Sequence, residues 1–186
     1  MTTKSVRFLS ANPHKIREVE LILAPVGLEV VPIGHKIDEI QTPDVEALVR
    51  DKAMKAFAAI GRPVFVEHTG LELDGLNGLP GGLTQVFWDG LEADRFAQLA
   101  AGLSTRAVTA RTTICYCDGR RLHLFAGSVS GHIAEVPRGP RDFQWDCVFV
   151  PNEHVQTFAE MGDAKHAISM RRKALNALSS FLQRGA

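Results

Sequence analysis

The sequence predicts an α/β fold, and three observations carry that expectation. Strand-like and helix-like segments alternate over residues 6–67, a tight-turn signal at Asp118-Gly119 opens an antiparallel pattern later on, and no repeat, linker or low-complexity tract divides the 186 residues. A chain of this length buries roughly 70% of its unfolded surface, so a single unit over 1–186, made of two lobes, needs no disulfide or metal staple. The expected architecture is an elongated pair of lobes sharing one bent, mixed sheet, with a cleft between them.

Val6 to Ala11 reads as a buried strand. Asn12-Pro13 stops it, and Ile16, Val19, Ile22 and Leu23 then recur at helical spacing over His14 to Ala24. Gly27 to Pro32 is a second strand, Val45 to Ile60 a second helix, and Pro63 to Glu67 a third strand, which together make a βαβαβ run with a parallel core. The glycines and proline of Gly75 to Gly82 mark a loop, and Glu92 to Ala101 reads as a helix. Ala107 to Tyr116 and Arg121 to Val129 flank Asp118-Gly119, a pair suited to the positive φ of a hairpin turn. Pro137 to Asp142 is a polar loop, Cys147 to Val150 a short strand, Thr157 to Met161 a helical turn, and Ser169 to Leu182 a closing helix.

Composition narrows the function. Lys+Arg and Asp+Glu both number 21, and this zero net charge argues against a general binder of nucleic acid polymers, which needs a cationic face. Cys115, Cys117 and Cys147 are odd in number and lack zinc-like spacing, so they read as small strand residues. The start of the chain has no signal-peptide pattern, and no window approaches about 18 consecutive apolar residues, so a cytoplasmic protein with no membrane segment is expected.

Several stretches carry chemistry-bearing side chains. Ser10, Asn12 and Lys15 stand at a strand-to-helix junction, where backbone N–H groups and an ammonium together can hold phosphate. Glu39, Glu67, Glu72 and Asp74 lie in loops or near strand ends and offer the oxygen ligands that a hard divalent cation takes. Phe143 and Trp145 can stack on a base and Asp146 can accept from its edge, while Lys165, Arg171 and Arg172 form a cationic end. Each group alone reads as readily as a helix cap, a solvated acid, a core aromatic pair or a charged helix face.

The order of these stretches resembles the inosine triphosphate pyrophosphatase family. The resemblance rests on S-x-N-x-x-K-x-x-E from Ser10, E-I-Q from Glu39, V-E-x-T-x-L-x-x-x-x-L-x-G-L-P-G from Val66, P-R-G-x-x-D-F-x-W-D from Pro137, T-x-A-E-M from Thr157 and S-x-R-x-x-A-L from Ser169. It implies a homodimeric α/β enzyme with a central nucleotide cleft that takes ITP, dITP or XTP with Mg²⁺ and releases the monophosphate and pyrophosphate. It further implies Ser10, Asn12 and Lys15 as the triphosphate loop, Glu39 as the metal carboxylate, and Phe143, Trp145, Asp146, Lys165 and Arg171 as the base-binding set.

Some positions depart from that pattern. Where the family carries the Asp assigned to metal and water, this chain has His68, and an imidazole is a poor ligand for Mg²⁺. Gln85 replaces a Lys or Arg, Met170 a His, and Gln144 and Cys147 a Gly and a Pro. The altered chemistry favours a nucleotide-binding subunit that has lost efficient hydrolysis and gates a separate effector protein, as in antiviral defence or nucleotide surveillance. The alternative is an enzyme still, with His68 as general base beside Glu67, and Glu67 or Glu72 reassigned to the metal.

Overall fold

The computed structural model describes residues 4–184. Its centre is one six-stranded sheet in the order β2-β1-β3-β4-β5-β6, formed by β1 (Lys4–Leu9), β2 (Leu28–Ile33), β3 (Val64–Leu73), β4 (Ala107–Cys117), β5 (Leu122–Ile133) and β6 (Phe149–Pro151). The chain leaves β1 through α1 (Pro13–Leu23) to pair with β2 on one side, then returns through α2 (Val45–Ile60) to pair with β3 on the other. Such a reversal of direction beside one strand opens a crevice at the strands' carboxyl ends.

Parallel pairing is shorter than the alternation of elements predicts. β1 and β2 pair over six positions, but β1 meets β3 only at Phe8–Phe65. β3 then runs on to Leu73 and pairs antiparallel with β4 along its whole length, so the sheet is mixed. The sequence reading ended this strand at Glu67 because His68, Thr69 and Glu72 broke the apolar run. β4 retains all three within the strand, and His68 and Thr69 are the ones that face the cleft.

The hairpin forms where Asp118-Gly119 predicts it. Asp118 Oδ1 accepts from the N–H groups of Arg120 and Arg121 at 2.6 and 2.7 Å, and Gly119 takes φ +97°. The predicted Glu92 helix is the second half of α3 (Thr84–Ala101), which is interrupted at Glu92 by φ 54°, ψ −177°. The strand expected from Cys147 begins instead at Phe149, after a single 3₁₀ turn over Gln144–Cys147. α4 (Phe158–Met161) opens with a capping box between Thr157 and Glu160, and α5 (Met170–Gln183) closes the chain.

The alternation of β3 distributes the core. Val64 and Val66 pack with Leu48, Val49 and Ala53 of α2, whereas Phe65 packs with Val19 and Ile22 of α1 and Leu175 and Leu178 of α5. Glu67 therefore follows the face of α1 and α5, and its neighbour His68 the face of α2. A third cluster joins α3, β6 and α4 through Phe96, Phe149 and Phe158. Gly127 lets the start of α5 sit on β5: a Cβ there would lie 2.2 Å from the Met170 carbonyl oxygen. No helix among the described residues is long and apolar enough to cross a membrane.

Candidate active site

The cleft begins where β1 ends. Asn12 caps α1, its side-chain oxygen accepting from the N–H groups of His14 and Lys15 at 3.0 and 3.3 Å. Ser10 Oγ in turn accepts from the Asn12 N–H at 3.2 Å. Within the predicted phosphate loop, Ser10 and Asn12 thus hold the backbone, and Lys15 is the member that projects charge. Its ammonium lies 2.6 Å from Glu67 Oε1.

Glu67 belongs to a buried knot of charges. Arg171, 2% exposed, donates to Glu67 at 2.9 Å through Nε and to Thr69 at 3.2 Å through one terminal nitrogen, and it pairs with Glu18 through the other. Ser169 Oγ donates to Glu18 at 3.2 Å, and Thr69 Oγ1 donates to Glu67 at 3.0 Å. Burial would raise both carboxyls, but Arg171, together with His166 at Glu18 and Lys15 at Glu67, prevails. Glu18 is held at about 2 and Glu67 well below the usual range. Arg171, which the resemblance places among the base-binding residues, ties α5 to α1 and β3 and also lines a small pocket beside Phe143 and Asp146.

On the α2 side lies a chamber of about 130 Å³ lined by Lys15, Glu39, Lys52, Glu67, His68, Gln85 and Gln144 among others. Glu39, on the exposed segment before α2, pairs with Lys52 at 2.7 Å. His68 is 9% exposed, and burial, followed by the charge of Lys15, lowers it to about 4, which keeps the ring neutral near pH 7. Its Nε2 is buried without a hydrogen-bond partner. Among the described residues no three His, Cys, Asp or Glu side chains stand close enough to hold a metal ion by themselves. A cation delivered with a triphosphate needs only one or two carboxylates, the rest of its shell being phosphate and water. Glu39 and Glu67 fit that smaller requirement, and the neutral imidazole does not oppose it.

A second chamber, of about 190 Å³, which holds the expected base-binding residues, is lined by His14, Arg17, Glu18, Phe143, Asp146, Lys165 and His166 among others. The Lys165 ammonium lies 4.5 Å from the centre of the Phe143 ring and pairs with Asp146. Across the opening, His14 stands 5.2 Å from Phe143, ring centre to ring centre. A third, much smaller pocket lies between the two chambers, sharing Glu18, Phe143 and Lys165 with this one and Thr69, Gln144 and Trp145 with the other; Arg171 also lines it.

Two further expectations are placed differently. Trp145 is 3% exposed and packs edge-on against Phe149 at 5.7 Å, so the aromatic face open to the base chamber is that of Phe143. Glu72, weighed as a metal ligand, is held by a two-pronged pair with Arg111 and lines neither chamber, and Asp74 also lies outside them. Met170 and Cys147 are buried in the third core cluster, and Arg172 donates to the His166 carbonyl oxygen. Glu18 enters the sequence reading only as the last residue of the motif that starts at Ser10, with no role, and Lys52 and His166 do not enter it. Glu18 carried a readable signal: it lies four residues before the buried Ile22, on the inward side of α1.

Comparison with known proteins places the chain among relatives. The model of the Ham1 family matches residues 6–181. An inosine triphosphate pyrophosphatase of Yarrowia lipolytica is 40% identical, over 96% of this chain and 95% of its own length. A dITP/XTP pyrophosphatase of Pyrobaculum aerophilum is 34% identical, over 95% of each chain. A HAM1 protein structure from Coxiella burnetii superposes with a TM-score of 0.81 at 26% identity, covering 98% of this chain and 100% of its own.

Proposed function

Since this chain belongs to the Ham1 family, we propose that it is a pyrophosphohydrolase of deaminated purine nucleoside triphosphates such as ITP, dITP and XTP. The observation that carries the reading is a row of three pockets with shared lining residues, with an aromatic face and a donor–acceptor pair at one end and ammonium groups at the other. A 6-oxo purine presents O6 as an acceptor and N1–H as a donor. Lys165 can only donate, and Asp146, whose carboxyl is pushed up by burial against the opposing charge of Lys165, can only accept when ionised. In that state the pair matches that edge and opposes adenine, whose 6-amino group donates and whose N1 accepts. Phe143 supplies the stacking surface, and Lys15 and Lys52 meet the phosphates.

The reaction is attack of water at the α-phosphorus with cleavage of the bond to the β-phosphate bridging oxygen, giving the monophosphate and pyrophosphate. Lys15 and Lys52 offset charge on the leaving pyrophosphate, and Arg171 fixes Glu67 in the ionised form. His68 Nε2 offers an uncommitted position to the attacking water. A divalent cation such as Mg²⁺, held at Glu39 with Glu67 nearby, would neutralise phosphate charge. The protein acts as a homodimer, as the family resemblance implies.

A second reading is favoured by His68 itself: the site binds nucleotide but turns it over slowly, and occupancy signals to a separate effector protein. One experiment separates the two. The protein is incubated with dITP, ITP, XTP, dATP and dGTP plus Mg²⁺, and bound nucleotide and released pyrophosphate are both measured. Turnover of the 6-oxo nucleotides within the ordinary range of about 1–10³ s⁻¹ supports the enzyme. Tight binding without pyrophosphate release, together with a gain in hydrolysis in His68→Asp, replaces it with the slow binder. Equal binding of dITP and dATP defeats the base-reading assignment in both.

A further inference from the structure

The contact between Gln85 and Gln144 has no part in the reading above. Gln85 lies in the first turn of α3, and Gln144 directly follows Phe143. The Gln144 side-chain amide donates to the Gln85 side-chain oxygen, and the Gln85 amide donates onward to Asp89 Oδ1 at 2.6 Å. The result is a one-way relay of neutral amides from the base-bearing turn to α3.

Its position matters more than its strength. Gln144 lines both the small middle pocket and the phosphate chamber, and Gln85 lines the phosphate chamber. A nucleotide with its base at Phe143 and its phosphates near Lys15 and Lys52 runs past this bridge. Both supports are places where the backbone is held in a sparsely populated region. Gln144 has φ 43°, and α3 is interrupted at Glu92 with φ 54°, neither residue being glycine. The start of α3 is pinned separately: Thr84 Oγ1 accepts from the Leu71 N–H at 2.9 Å and donates to the Gly81 carbonyl oxygen at 2.7 Å. The short piece of helix between Thr84 and Glu92 is therefore fixed at its start, broken at its end, seated on the third core cluster through Phe87, Trp88 and Leu91, and joined to the turn after Phe143 by the neutral contact between Gln85 and Gln144.

We propose that the Gln85–Gln144 bridge is a gate between the two chambers, opening for the triphosphate to pass and closing behind it. The inference rests on the cleft being the nucleotide site argued above. A neutral amide pair suits a gate because exchanging one such partner for water costs little, whereas an ion pair there would hold the cleft shut or attract phosphate to itself.

The test is stopped-flow binding of α,β-methylene-ITP with Mg²⁺, followed by the fluorescence of Trp88 and Trp145, the two tryptophans of the chain, both of which line the phosphate chamber. Gln85→Ala and Gln144→Ala are each expected to raise the association and dissociation rates together by roughly two- to tenfold. The double variant is expected to match the singles, because one bridge is lost only once. Thermal unfolding of each variant identifies any that fails to fold, and Gln144→Gly, which relieves the positive φ while removing the amide, serves as the second route to the same loss. Unchanged rates, or effects that add in the double variant, overturn the gate while leaving the nucleotide site standing. Absence of nucleotide binding in the wild-type protein, checked by calorimetry, overturns the site and the gate together.

Discussion

At the middle of the cleft Arg171 and Glu67 are 2% and 3% exposed, and each charge there answers to more than one partner. At the base end the Phe143 ring is only partly covered, and Lys165 pairs with Asp146 alone. The difference separates two tasks given to similar residue types. Charges that are buried and cross-linked hold α1, β3 and α5 in register, since removing one partner strands the others in a medium that penalises unpaired charge. Asp146 is nearly as buried, at 4% exposed, but a half-covered ring and a singly paired couple beside a chamber can exchange their partners for those of a ligand. Of the departures from the family pattern, His68, Gln85 and Gln144 line the chamber beside α2 and Met170 and Cys147 are core residues, while Phe143, Asp146 and Lys165 around the second chamber fit the pattern.

Breaking the centre should have the largest effect. Arg171→Ala leaves the Glu18 and Glu67 carboxylates buried without their main cation, and a loss of about 3–5 kcal/mol in unfolding free energy is expected. Trp145→Ala, which empties a site against Phe149, should cost a similar amount for a different reason, the cavity left behind. Urea unfolding measures both. A change below about 1 kcal/mol in Arg171→Ala would mean that the central charges do not support the fold in the way their burial indicates.

Acid provides a slightly smaller perturbation of the same centre. Glu18 is held at about 2 in the folded protein, against about 4.3 for a free glutamate. Because the folded value is the lower, the stabilisation is complete above the unfolded value and is lost as pH falls through the folded one, when the unfolded chain takes up the proton first. For Glu18 the loss amounts to about 3 kcal/mol between roughly pH 5 and pH 2. Unfolding free energies measured across that range should fall steeply in the wild type and less steeply in Glu18→Gln, a variant with lower stability at neutral pH. Parallel curves for the two proteins would remove Glu18 from the account.

Much of this arrangement was legible from the chain alone, and the misses share a cause. α2 and the Asp118-Gly119 hairpin were readable because periodicity and turn chemistry are local. β3 was cut short at Glu67 because a strand that carries Glu67, His68 and Thr69 into a cleft does not look apolar, and only pairing with β4 keeps it extended. The kink at Glu92 hid the first half of α3 for a similar reason, since Gly90 and Glu92 interrupt the helical pattern. Among the site residues, types and neighbourhood were readable while depth was not. Phe143, Trp145 and Arg171 are close in the motif order, yet burial assigns Trp145 to the core and Arg171 to the ion knot. Neither outcome follows from spacing: that of Arg171 depends on how α5 lands across β3 and α1, and that of Trp145 on how its turn packs against β6, α3 and α4.

The smallest effect sharpens the comparison most, because it separates binding from stability. Phe143 contributes a partly open ring, with Lys165 above it at 4.5 Å, and lies outside the three buried clusters. Phe143→Ala should therefore weaken ITP binding by about 1–3 kcal/mol, the range for loss of one base–aromatic contact, while the unfolding free energy stays within about 0.5 kcal/mol of the wild type. Calorimetry with ITP and with ATP reads the first quantity and urea unfolding the second. The loss should be similar for the two nucleotides, since a ring face does not distinguish O6 from N6; Lys165→Met should instead fall on ITP, which loses its donor, and spare ATP. If Phe143→Ala lowers stability as much as binding, the base end is held together like the centre, and the division of tasks between the two regions fails.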